Sequence, residues 1–135
     1  MSFKVLKAGI FTTLQDQGRF SFTHLGVTNS GSLDEYASLS AQKLLNNSLD
    51  TNILEITFAN VELQATKTTM VAITGAKCDF YINGIAKDTW QSYKITTDDI
   101  IKIGTIKEGQ RVYLAVKDGF SIDKEFGSNA TTIKE

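Results

Sequence analysis

The chain has no proline. Rigid proline linkers and cis-proline turns are therefore excluded, and turns must be made by Gly, Asn and Asp. It has one cysteine, Cys78, which excludes an internal disulfide framework. It has one histidine, His24. A lone imidazole with no second His or Cys nearby is poor material for a metal site, and none is expected. No apolar run approaches about 18 residues, the length a membrane-crossing helix needs. The opening MSFKVLKAG lacks the apolar core of a signal peptide. Neither sign of charge dominates: the net charge is -1 and Lys, Arg, Asp and Glu are interspersed. Without a basic block, nucleic acid is not an expected partner. These absences together lead to the expectation of a soluble, cytoplasmic protein.

What is present suits one ordinary globular domain. At 135 residues with 41% hydrophobic side chains, the chain is long and apolar enough to bury a core. Its most distinctive stretch is residues 9–34, GIFTTLQDQGRFSFTHLGVTNSGSLD. It is rich in glycine and polar residues and shows neither helical nor strand periodicity. A compact domain seldom spends about 20 residues on such a loop unless the loop binds or reacts with something.

Around this loop the pattern predicts a mainly β architecture with one main helix. Residues 4–8 read as a short first strand. Residues 33–46 read as the helix, with Ser32 and Glu35 forming a capping box and an apolar stripe of Leu33, Tyr36, Ala37, Ala41, Leu44 and Leu45. Asn46-Asn47 marks its exit. Residues 53–58 and 61–65, separated by Ala59-Asn60, suggest two strands or a bulged hairpin. Residues 70–74 are apolar throughout and fit a strand buried on both faces. Cys78, Phe80 and Ile82 alternate with polar neighbours, and Asn83-Gly84 supplies a type I′ hairpin signal. Residues 100–103 and 111–116 predict two further strands joined through Lys107-Glu108-Gly109. Many short strands with turn signals and one helix suggest a closed or folded β-barrel.

Several residues have the chemistry of a site, and each has a plainer explanation. Asp16 and Arg19 either pair to fix the loop or leave Arg19 to grip a carboxylate or phosphate bidentately. Gly18 between them permits a positive φ or close ligand approach. His24 either does acid–base work near neutral pH or tethers the loop. Ser30-Gly31 and Asp34 precede or begin the helix, where free N–H groups bind anions; capping by Ser32, with Asp34 favoured by the helix dipole, is the plainer explanation, and the two can coexist. Glu55 in the strand ILEIT is costly among apolar neighbours unless partnered, by Arg19 or by the helix end. Thr74-Gly75-Ala76 allows close approach of backbone or ligand, or simply makes a tight turn. Cys78 reads as a buried, inert thiol. No phosphate-cradling P-loop pattern occurs.

The loop GIFTTLQDQGRFSFTHLGVTNSGSLDEYA resembles the opening of the family formed by the C subunit of 5-oxoprolinase, also called the KipA or allophanate hydrolase subunit 2 family. That family includes the carboxyltransferase part of urea carboxylase. The resemblance continues through Asn47, through LEIT (Leu54 to Thr57), AITGA (Ala72 to Ala76) and RVYLAV (Arg111 to Val116), and ends near Phe126-Gly127-Ser128. The chain departs from the family pattern at Ser21 and Asp118, where glycine is usual, and at Thr28, where proline is usual. It also lacks the arginine of the family's GSRST pattern around Asn129.

The resemblance implies a cyclophilin-like β-barrel over residues 1–135, and it implies that this domain is the N-terminal half of a longer two-domain chain. It implies a part of ATP-dependent 5-oxoprolinase that converts 5-oxoproline, a small amide, to glutamate together with the companion A and B subunits, the latter KipI-like. The alternatives are a KipA-like regulatory binding protein and a component of urea carboxylase or allophanate hydrolase. No cofactor is expected on this chain; ATP is used by the complex, and biotin enters only on the urea carboxylase reading. Carried over by motif, catalytic roles fall to His24, Arg19 and Glu55, and substrate contacts to Gln15, Asp16, Gly18, Ser30, Gly31 and Asp34.

Overall fold

Two long strands organise the molecule. The computed structural model describes residues 3–7, 12–16, 34–57 and 60–120, with the backbone alone for 12–16. Its elements are β1 (Phe3–Lys7), β2 (Thr12–Asp16), α1 (Glu35–Leu44), β3 (Asn52–Ile56), β4 (Val61–Ala65), β5 (Thr69–Ile82), β6 (Ile85–Ala86), β7 (Gln91–Ile95) and β8 (Ile100–Val116). All described pairings are antiparallel. One edge of β8 takes β5. Its other edge takes β4 beside its first residues and β3 beside its last. Outside these, β1 pairs with β4, β2 with β3, and β6 and β7 with β5. The sheet thus has two halves that share β5 and β8, and side chains from both halves meet in one core. Among the described residues, no pairing closes the ladder into a complete barrel.

The alternation of side chains explains the layering. Leu54 and Ile56 of β3, Val71 and Ile73 of β5, and Val112, Leu114 and Val116 of β8 face the main core. Their neighbours Ile53, Ala72, Tyr113 and Ala115 face the other way and pack on Ala37, Ala41 and Leu45 of α1. This is why residues 70–74 read as continuously apolar: one face meets the core and the other meets the helix. Small side chains at Ala72 and Ala115 let the helix lie close.

Several sequence expectations change here. Residues 12–16 form β2, so the loop is shorter than its composition suggests. Its threonines and Leu14 gain their ladder from β3, a partner distant in sequence. Of the two readings of residues 53–58 and 61–65, the structure has the two separate strands and not the hairpin. β3 and β4 run in the same direction along one edge of β8. Residues 100–103 and 111–116 belong to the single strand β8, whose partner β5 absorbs register shifts between Gly75 and Phe80. The sequence gives little sign of β7, because its apolar content is low. The Asn83-Gly84 hairpin forms as expected, with φ of 53° and 81° at the turn.

The helix is capped by Asp34, whose Oδ1 accepts the Ala37 N–H at 3.0 Å. Glu35 is then the first helical residue, too early for a capping box with Ser32. The buried face is Ala37, Ser38, Ala41, Gln42 and Leu45, whereas Tyr36 and Leu44 of the expected stripe are exposed. At the other end the Asn46 and Asn47 amides bond back to the Lys43 and Gln42 carbonyls, with Asn46 at φ 56°. That is the Schellman stop that Asn46-Asn47 suggested.

Gly75 is the close-approach point of the sheet. It sits at φ +103°, and a Cβ there would stand 2.5 Å from the Arg111 carbonyl oxygen. Gly75→Ala is expected to destabilise the fold by at least about 2 kcal/mol, from positive-φ strain plus overpacking. Urea denaturation of the two proteins measures this directly.

Candidate functional site

Glu55, Tyr113 and Thr74 lie opposite one another on β3, β8 and β5, in one row on the helix-facing side of the sheet. Polar groups in such a place need partners, and they have them. The Tyr113 hydroxyl donates to Glu55 Oε2 at 2.7 Å and accepts the backbone N–H of Asp34 at 3.0 Å. The Thr74 hydroxyl donates to the Ala37 carbonyl at 2.7 Å. Arg111 lies two residues before Tyr113 and brings its Nε to 3.5 Å from the same Glu55 oxygen. The side chains of this ion pair are 18% and 12% exposed. The sheet therefore fixes the start of α1 through Tyr113 and Thr74, and fixes Glu55 through Tyr113 and Arg111.

A depression of about 300 Å³ opens beside this cluster, lined by Asp34, Gly75, Ala76, Gly109, Gln110 and Arg111. A second, of about 560 Å³, shares Gly109, Gln110 and Arg111 and extends toward Thr57, Asn60, Thr105 and Ile106. Arg111 lines both. Both are of the size that accepts a small molecule.

Of the expected site residues, the structure brings Asp34 and Glu55 together through Tyr113. Gln15 and Asp16 lie on β2 opposite Ile53 and Asn52, so they enter the same half-sheet. Gly18, Arg19, His24, Ser30 and Gly31 lie outside the described residues. Arg111 and Tyr113 are partners of Glu55, and the Tyr113 hydroxyl links it to the Asp34 amide at the start of the helix. The sequence marks Arg111 and Tyr113 as strand residues alone. The signal that could have found them is alternation: Arg111, Tyr113 and Ala115 share the face opposite the core, the face on which Glu55 also falls. The freedom expected at Thr74-Gly75-Ala76 serves close approach to the Arg111 backbone.

The remaining candidate chemistry is weak. Cys78 is partly buried against the core. Burial first, and then the charge of Asp79, push its thiol up to about 11. Among the described residues no cluster of His, Cys, Asp and Glu is placed to hold a metal ion. Nor is any helix among them long and apolar enough to cross a membrane.

Two measurements follow from these environments. Burial, followed by the charge of Glu55, holds Tyr113 far above the ordinary tyrosine range. Above about pH 10 the unfolded chain ionises this tyrosine while the native state keeps the proton, so stability falls as pH rises; below that it is flat. Tyr113→Phe should cost about 1–3 kcal/mol at pH 7, the penalty of an unpaired buried partner. It should also remove this alkaline loss, which urea denaturation of both proteins at pH 8 and pH 11 would detect. For Cys78, modification by a thiol reagent at pH 8 should run on the order of a hundredfold slower than at an ordinary exposed cysteine, because the thiolate is the reacting form.

Known proteins resemble the chain in sequence and in fold. The chain is 30% identical to the C subunit of 5-oxoprolinase from Escherichia coli K12 over 131 residues, which cover 97% of this chain and 42% of that protein. It is 28% identical to the urea amidolyase of Lachancea kluyveri over 96% of this chain and 7% of that protein. It thus spans less than half the length of either. The crystal structure of the K. lactis urea amidolyase superposes with a TM-score of 0.79 at 27% identity, covering 94% of this chain and 8% of that one. TTHA0988 superposes with a TM-score of 0.78 at 25% identity, covering 94% and 48%. Residues 25–135 match the family described as carboxyltransferase domain, subdomain A and B, and the chain belongs to that family.

Proposed function

We propose that the chain is a working part of an ATP-dependent 5-oxoprolinase, which opens the lactam of 5-oxoproline to glutamate with the companion A and B subunits. The observation that carries this reading is the 30% identity to the C subunit of 5-oxoprolinase across 97% of the chain. The site geometry suits it. Arg111 supplies positive charge to a depression of small-molecule size, and 5-oxoproline carries one carboxylate. Glu55 and Tyr113 hold that arginine's surroundings rigid. Arg19 and His24 complete the site from the loop, Arg19 gripping an anionic group and His24 orienting or protonating it; Gln15, Asp16, Gly18, Ser30 and Gly31 shape it. ATP is consumed by the assembly and is not held by this chain. Such an assembly works in the cytoplasm, where ATP is available.

A second reading has its own support. The family is a carboxyltransferase family, and a urea amidolyase is among the relatives. On that reading the same depression holds urea while a carboxyl group arrives from biotin carried elsewhere.

The test is ATP-dependent glutamate formation from 5-oxoproline, with the protein and its two companions and each omitted in turn. Activity should vanish without this protein, and Arg19→Ala and Glu55→Gln should each lower it at least about tenfold, the scale of a lost charged contact. Turnover indifferent to the protein's omission sinks the oxoprolinase reading. Biotin-dependent carboxylation of urea would then establish the second.

A further inference from the structure

Trp90 is the only tryptophan of the chain, and it sits at φ 62°. A bulky side chain in the left-handed region is a strained exception, and such exceptions gather at functional surfaces. The surroundings hold it there. Its backbone N–H donates to the Ile73 carbonyl at 2.6 Å, and its indole N–H donates to the Gly75 carbonyl at 3.0 Å. The indole has no other hydrogen-bonding group, so what it offers outward is ring surface. The residue is 40% exposed. Tyr36 stands beside it with ring centroids 5.9 Å apart and planes inclined by 32°, and is 75% exposed.

The position of the pair matters. Gly75, which holds the indole, lines the 300 Å³ depression, and so does Asp34, two residues before Tyr36. The two rings are thus tied, through the Gly75 carbonyl and the first turn of α1, to residues that line a cavity carrying charge at Asp34 and Arg111. A surface of that kind favours a ligand with a polar edge and a flat, uncharged face. We propose that Tyr36 and Trp90 form the aromatic wall of a subsite that stacks on the planar face of a small amide or lactam, whose polar edge lies in the depression between Asp34 and Arg111. The identity of that ligand as an amide rests on the function proposed above; the wall itself rests on the geometry.

A lone tryptophan makes the wall directly readable. The probes are 5-oxoproline and urea, titrated into the chain while acrylamide quenching of Trp90 emission is followed. Saturable protection by 5-oxoproline is expected, and Tyr36→Ala should weaken it about 3- to 10-fold, the worth of one aromatic contact. Tyr36 is exposed, so this variant should melt with the parent, which a thermal scan checks. In the assembled complex, Tyr36→Ala and Trp90→Leu should raise KM by a similar factor and change kcat less, while Trp90→Phe, which keeps a ring, should recover most of the loss. An active complex with parental KM in these variants and no emission response overturns the subsite and leaves the oxoprolinase reading standing. An inactive complex in which either probe still protects Trp90, and Tyr36→Ala removes that protection, upholds the subsite and removes the oxoprolinase reading. Silence in both assays overturns both.

Discussion

A hydroxyl buried as deeply as that of Tyr113 must be satisfied from within the protein, and here it is satisfied from two sides. It donates a hydrogen bond to Glu55 and accepts one from the Asp34 amide at the start of α1. Removing the hydroxyl would leave both partners short at once, which is more costly than losing one ordinary bond. The same atom therefore sets where the helix begins, how Glu55 is turned, and, through Glu55, where the Arg111 guanidinium rests. Thr74 repeats the device one strand away by bonding the Ala37 carbonyl. Helix and sheet are joined by polar bonds in a layer where alanines pack with Leu45, Ile53 and the Tyr113 ring. The apolar contact alone would leave the helix free to slide; these bonds fix its register.

The far end of the helix is held in a comparable way. Gln42, fully buried, donates to the Thr51 carbonyl and accepts from Asn47, and Asn47 in turn reaches the Val116 carbonyl and the Asp118 amide. Asn52 closes the pattern by bonding both backbone groups of Phe120. The helix is thus pinned at both ends to the same stretch of β8 and the turn that follows it. Apolar contact with Ala72, Tyr113 and Ala115 fills the space between.

Much of this is legible in the chain. The β-rich class, the helix α1, its asparagine stop and the Asn83-Gly84 turn all rest on local chemistry, which a sequence displays. Asp118 is instructive: the family resemblance carries glycine there, and in the structure its φ is 66°, a conformation glycine adopts without strain. What is not legible depends on partners distant in sequence. Residues 12–16 become a strand only because β3 offers an edge. The run from 100 to 116 remains one strand despite Lys107, Glu108 and Gly109 because β5 bends with it. Glu55 is recognisable as a carboxylate in need of a partner. Its choice of Arg111 and Tyr113, both more than fifty residues on, depends on which strands become neighbours. The exposed Tyr36 falls in the expected apolar stripe because helical spacing cannot distinguish a core position from one aimed at a second aromatic ring.

The length of β8 has a further consequence, for the order of assembly. This strand is the last described element, and it supplies the neighbours of β3, β4 and most of β5. Until it is available, those strands carry apolar faces with no ladder between them. Little of the core can consolidate from local contacts, and a topology ruled by such distant pairings folds slowly. On the ribosome, the chain must be synthesised through Val116 before its two half-sheets can close on a shared core. The interval before that is when exposed strand edges are most open to association with other chains, and when a chaperone would matter most.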